Sequence, residues 1–87
     1  MKSAVVEIGD TATPINTDGG TASAPVSILV RVPADGASVF LGGPDVTTAN
    51  GFEVAPAESF NVELLGDILF GAVASGTQDV QTIKNGG

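Results

Sequence analysis

The sequence predicts an all-β protein, a small antiparallel β-sandwich or barrel with an extended N-terminal arm. In several short runs apolar residues recur at every second position, as in strands with one buried face. Glycine, proline or aspartate follows these runs at close spacing, where strands would reverse. No window of helical length both lacks Gly and Pro and shows a 3.6-residue apolar period. We therefore expect an N-terminal strand and arm at 1–25, followed by a β-domain at 26–87.

Two runs show the alternation most clearly. In "VSILVRV", residues 26–32, valine and isoleucine occupy every second position, and "SFNVEL", residues 59–64, alternates polar and apolar side chains in the same way. The run "DILFGAVA", residues 67–74, is apolar on both faces and is predicted to be the central strand. Shorter strands are predicted at 4–8, 38–41, 51–54 and 79–83.

The glycine-rich stretch "GGPDVTTANG", residues 42–51, is predicted to form a corner between strands. Gly42 and Gly43 would permit positive φ and Pro44 would stiffen the turn. An anion-binding nest is the alternative, but no helix follows, and the carboxylate of Asp45 would repel a phosphate. The glycines are therefore expected to determine shape.

The segment "GDTATPINTDGGTASAP", residues 9–25, contains Ile15 as its only bulky apolar residue. Such a segment cannot build a core by itself, so we expect it to reach across to a partner. The candidate partner contacts in it are Pro14, Ile15, Asn16 and Pro25. Removal of residues 1–25 is then expected to leave the β-core folded.

Arg31 is the fifth candidate partner contact, because it stands in mid-strand in a chain with only three basic residues. Its guanidinium is expected to pair with a carboxylate such as that of Glu63 or Asp67. An ion pair between subunits is the alternative.

Charge excludes several classes of partner. Ten carboxylates and three basic residues give a formal net charge of −7. Nucleic-acid binding requires clustered Lys and Arg, and an anionic membrane would repel this chain. The apolar run near the start is too short for a signal peptide, so we expect the chain to be made in the cytosol. A chain of 87 residues buries too little surface for high stability, which favours a homo-oligomer.

Catalysis and metal binding find little support in the residue types. His and Cys are absent, which removes imidazole bases, thiolate nucleophiles and thiolate metal sites. Sugar hydrolysis by a carboxylate pair from Glu53, Glu58 and Glu63 would need a cleft with aromatic platforms, and Trp and Tyr are also absent. Asp10 and Asp18 lack the ligand spacing of a calcium loop. We expect no catalytic residue, no cofactor and no metal site.

The succession "SVFLGGPDVTTANGFEVAPAESFNVELLGDILFGAVASGTQDVQTI", residues 38–83, resembles a β-rich module of small virion proteins of tailed bacteriophages. In that module a "v-y-l-G-G-x-x-V-T" turn leads through "G-f-x-l-x-p-g-x-s" to "l-y-a-v-a-x-s-G-t" and a closing strand. The match covers about half of the chain. Phe40 and Phe70 stand where the module commonly has an aromatic residue with a hydroxyl.

The resemblance implies a non-enzymatic capsid decoration or minor capsid protein. Such proteins bind the outside of a phage shell in many copies, often as trimers, with the major capsid protein as partner. A tail, baseplate or fibre module that binds host-surface carbohydrate is the first alternative. A small β-domain with a soluble partner is the second.

Overall fold

The described part of the chain forms eight β-strands. The computed structural model describes residues 2–16 and 19–86. Its strands are β1 (Lys2–Ile8), β2 (Thr13–Pro14), β3 (Val26–Arg31), β4 (Val39–Gly42), β5 (Phe52–Val54), β6 (Ser59–Leu64), β7 (Phe70–Ala72) and β8 (Gln78–Gly86). These residues contain no helix, so the all-β prediction is confirmed.

The strands form two four-stranded antiparallel sheets. The first sheet has the order β1-β8-β3-β6 and the second has the order β2-β7-β4-β5. One hydrophobic core contains buried side chains from both sheets, such as Ile28 and Val80 from the first and Val39 and Val54 from the second. The architecture is therefore a sandwich of two sheets.

Alternation along the strands produces the core, as the sequence predicts. In β3 the side chains of Val26, Ile28 and Val30 are buried, while those of Leu29 and Arg31 are exposed. In β6 the exposed residues likewise alternate with partly or fully buried ones. The period of two therefore assigns both faces of these strands correctly.

The predicted central strand is shorter than its apolar run. β7 lies between β2 and β4, which is an inner position, but it spans only three residues. Gly71 faces the core, where a Cβ atom would lie 3.2 Å from Cδ1 of Ile15. The neighbouring side chains of Leu69 and Val73 are also buried.

The start of the segment at 9–25 packs on its own chain, which differs from the expected arm. β2 pairs with β7, and the backbone N–H of Ile15 donates to the carbonyl of Leu69 over 2.8 Å. The side chain of Ile15 is only 8% exposed and belongs to the core. One bulky apolar residue is enough to anchor this segment, because its side chain packs into a core that the other strands form.

The glycine-rich corner is confirmed as a turn, but for a different reason. The N–H of Val46 donates to the carbonyl of Gly43 over 3.0 Å, and the Val46 side chain is buried. Among the described glycines, positive φ occurs at positions 20, 66 and 76, so the positive φ expected at Gly42 and Gly43 is wrong. Close approach explains Gly42, because a Cβ there would lie 2.9 Å from Cγ2 of Val46.

Candidate functional site

An exposed apolar surface lies on the side of the first sheet that faces away from the core. Leu29 of β3 stands directly opposite Ile83 of β8, and Ile83 stands opposite Ser3 of β1. Leu29 is 38% exposed, Ile83 is 40% exposed, and Val5 on β1 is 66% exposed. Three strands that are distant in sequence therefore bring these side chains together.

Two polar residues, Arg31 and Gln81, lie on the same side of the sheet. We call this surface the outer face and define it by Val5, Leu29, Arg31, Gln81 and Ile83. Gln81 of β8 lies between Val5 and Arg31 in the register. The guanidinium of Arg31 donates to Oε1 of Gln81 over 3.3 Å. Shallow depressions run over this face, one between β1 and β8 and one beside Leu29 and Arg31.

The strand register does not support the expected ion pair between Arg31 and a carboxylate of its own chain. Across β6, Arg31 faces Ser59, whereas Glu63 faces Ser27 at the other end of the strand. Asp67, the other expected partner, follows beyond that far end. Four residues along a strand span about 13 Å, too far for an ion pair. Its contact is instead the side-chain amide of Gln81, and the ion pair between subunits stays a prediction.

Charge is distributed unevenly between the first sheet and the rest of the molecule. All three basic residues lie on first-sheet strands: Lys2, Arg31 and Lys84. These strands also carry three acidic residues: Glu7, Glu63 and Asp79. The other seven carboxylates, and with them the whole net charge of −7, belong to the rest of the chain. The first sheet is thus neutral by formal charge.

The remaining predicted partner contacts fall into two groups. Ile15 and Asn16 are buried, and Oδ1 of Asn16 accepts a 2.9 Å hydrogen bond from the N–H of Leu69. Their side chains are therefore occupied within their own chain and do not present a surface to a partner. Pro14 is exposed and Pro25 is partly exposed, so contact with a partner stays a prediction for both.

A second hollow, with a volume of about 530 Å³, lies at the end of the sandwich beside the glycine-rich corner. Pro44, Leu64, Ile68 and Phe70 contribute apolar side chains to it, and Asp67 contributes a carboxylate. The residues that line this hollow include no basic side chain that could bind an anion.

Two aromatic rings close the gap between the sheets at the opposite edge from β1. Phe52 of β5 and Phe60 of β6 have ring centroids 4.5 Å apart with a 33° angle between the planes. Phe52 remains more than half exposed and borders a depression of about 430 Å³ that Glu53 and Glu58 also line. The pair covers the core at this edge and leaves part of the Phe52 ring exposed.

The described residues bring no set of metal ligands together. At 2–16 and 19–86, no three His, Cys, Asp or Glu side chains stand close enough to hold a metal ion together. Asp18 of the considered calcium pair lies outside the described residues. No helix in the described ranges is long and apolar enough to cross a membrane.

Comparisons with protein-family models, with curated proteins and with solved structures found no match. A role for the outer face must therefore follow from its own geometry. Alternation places Leu29 on the polar face of β3, but it does not identify Val5, Leu29 and Ile83 as one surface. One sequence feature could have identified these residues. Each of the three strands has an apolar residue at a position where alternation predicts a polar one.

Proposed function

We propose that the protein is a non-enzymatic structural component of a phage virion, a capsid decoration or minor capsid protein that binds the outside of the shell. The outer face is the observation that carries this proposal. It exposes Val5, Leu29 and Ile83 together on a sheet without net formal charge. Contiguous exposed apolar side chains favour a role in docking. The resemblance of residues 38–83 points to the major capsid protein as partner.

The charge distribution gives the bound protein an orientation. The first sheet, whose strands carry no net formal charge, contacts the shell through the outer face, and the acidic remainder points to solvent. A surface with high net charge keeps decorated particles soluble and apart. Because the protein binds only the assembled surface, binding stabilises that state of the shell by mass action. This mechanism requires no catalytic group.

The experiment that tests the proposal is quantitative mass spectrometry of purified virions of the phage that encodes the chain. The measured quantity is the copy number relative to the major capsid protein. A ratio near one, or another simple fraction set by shell symmetry, supports a decoration layer. Absence of the chain from virions contradicts the proposal.

A carbohydrate-binding module of a tail, baseplate or fibre is the second candidate, and the rim at Phe52 favours it. An exposed aromatic ring stacks on a sugar, and the carboxylates of Glu53 and Glu58 accept hydrogen bonds from hydroxyls. This function predicts a trace copy number in virions. It also predicts glycan binding that Phe52→Ala abolishes, measured by titration calorimetry with host-surface oligosaccharides.

A further inference from the structure

The edge of the first sheet at β1 is long and unprotected. β1 pairs with β8 without interruption from Lys2↔Lys84 to Ile8↔Gln78, and no described strand lies on its other side. Alternate residues of such an edge direct N–H and C=O groups outward, where another strand can bind them. β1 contains no proline, and its continuous register shows no bulge. Seven residues therefore present a regular template.

The edge strands of the second sheet are too short to present such a template. β2 has two residues and β5 has three, and very short edge strands resist pairing with another chain. The other edge strand of the first sheet, β6, has six residues, one fewer than β1. Among the described strands, β1 is thus the edge that offers the longest free template.

Electrostatics favours the same edge for contact between two copies. The net charge of −7 makes two copies repel each other when their acidic parts approach. The first-sheet strands carry three basic and three acidic residues, so approach along this sheet avoids that repulsion. Val5, on the exposed side of β1, adds an apolar side chain at the edge.

We infer that β1 binds β1 of a second copy, antiparallel and around a two-fold axis that passes beside Val5. Val5 is the midpoint of Lys2–Ile8, so only a register centred there uses all seven residues. In this register Val5 faces Val5 of the second copy, and Ser3 faces Glu7. No two like charges stand directly opposite each other.

The pairing extends the first sheets of two copies into one eight-stranded sheet with a continuous outer face. The two Val5 side chains then stand between the two pairs of Leu29 and Ile83 on this face. Such a dimer offers a partner two copies of the same face, and bivalent attachment strengthens binding without a new contact. The symmetry is two-fold, whereas the resemblance implies trimers.

A cysteine at position 5 tests the pairing directly, because the chain has no native cysteine. Directly opposite residues of an antiparallel pair have Cα atoms about 4.5–5.5 Å apart. Disulfides span Cα separations of about 4.4–6.8 Å. Purified Val5→Cys is expected to form a covalent dimer under mild oxidation, while Ser75→Cys, on an exposed loop, stays monomeric on a non-reducing gel.

The register is tested by two further variants. Ser3→Cys and Glu7→Cys are each expected to crosslink poorly alone, because equal positions away from the axis lie far apart. A mixture of the two is expected to form a covalent heterodimer. Crosslinking of Ser3→Cys with itself would overturn the proposed register.

Light scattering of the wild-type protein over a range of concentrations completes the test. A monomer–dimer equilibrium is expected. A chain that stays monomeric at every concentration, or one that forms trimers without crosslinking through Val5→Cys, would overturn the inference. The measurement uses no shell, so it succeeds or fails independently of the virion proposal.

Discussion

At the scale of single residues, one buried side-chain amide joins two distant parts of the chain. Oδ1 of Asn16 accepts a hydrogen bond from the backbone N–H of Leu69, 53 positions later, in a buried environment. A buried donor without a partner costs about 1–3 kcal/mol. Asn16 is therefore expected to stabilise the contact between the segment after β2 and the entry to β7.

Asn16→Ala is predicted to lower the free energy of unfolding by about 1–3 kcal/mol, because it leaves the Leu69 N–H without its acceptor. Asn50 provides the matched control, since its Oδ1 accepts a 2.7 Å hydrogen bond from the N–H of Thr47 at an exposed site. Water replaces that acceptor in Asn50→Ala, so the loss is smaller. Urea denaturation of the two variants measures the difference, and equal losses would contradict the role of burial.

Backbone approach at Gly20 makes a second residue-scale contribution. Gly20 has a φ of +69°, and a Cβ there would lie 2.5 Å from the carbonyl oxygen of Ala24 and 2.8 Å from the nitrogen of Val26. Both contacts are with backbone atoms, which move less readily than the end of a side chain. Gly20 therefore needs both the left-handed conformation and the absence of a side chain.

Gly20→Ala is predicted to destabilise the fold more than Gly76→Ala. Gly76 has nearly the same φ, +68°, but nothing lies within 4 Å of the position that a Cβ would take there. Both variants carry the cost of the left-handed region, about 1–2 kcal/mol, and Gly20→Ala adds about 1–3 kcal/mol of overpacking. Thermal unfolding followed by circular dichroism measures both, and a larger loss in Gly76→Ala would contradict this ranking.

At the scale of elements, the sequence predicts strands that have one apolar and one polar face. It does not predict a short strand that forms only because it pairs with a neighbouring strand. β3 and β6 follow from alternation alone. β2 has only two residues and exists because it pairs with β7, so no local pattern marks it. The composition of the segment at 9–25 predicts contact with a partner because it cannot build a core, but Ile15 inserts into a core that other strands provide.

The packing of this segment changes the expected effect of truncation. Removal of residues 1–25 takes away β1, which pairs with β8 along its whole length, and also the buried Ile8 and Ile15. The remaining sheets would then expose their apolar inner faces. The deletion is therefore not expected to leave a folded core, and point variants are the better probe.

Ile15→Ala is predicted to lower the free energy of unfolding by about 2–5 kcal/mol, as for other large-to-small changes in a core. Leu65→Ala is the control, because Leu65 is 55% exposed, and exposed changes stay within about 0.5 kcal/mol. Urea titration measures both. A loss at Ile15 no larger than at Leu65 would mean that the segment is not anchored in the core.

The outer face shows the same limit of prediction from sequence. An apolar residue at a polar position is visible in β3 as Leu29, and similar exceptions occur at Val5 and Ile83. Their proximity depends on the register between β1, β8 and β3, which lie far apart along the chain. Alternation assigns faces within a strand, but it does not determine which strands are neighbours.

At the scale of the whole molecule, formal charge is divided unevenly between the first sheet and the rest of the chain. The first sheet is neutral by formal charge and exposes Val5, Leu29 and Ile83, whereas the rest of the chain carries the full net charge of −7. This division is what the proposed decoration role requires, since one region contacts the shell and the other faces solvent. Substitutions on the outer face should therefore affect binding more than folding.

The most direct measurement is co-sedimentation of the purified protein with shells assembled from the major capsid protein of the same phage. Wild type is compared with Ile83→Asp, on the outer face, and with Leu65→Asp, which adds the same charge at an exposed site outside it. Circular dichroism first establishes that both variants fold. Wild type and Leu65→Asp are predicted to sediment with the shells while Ile83→Asp stays in the supernatant; failure of wild type to bind, or equal binding by Ile83→Asp, would contradict the proposed role of the outer face.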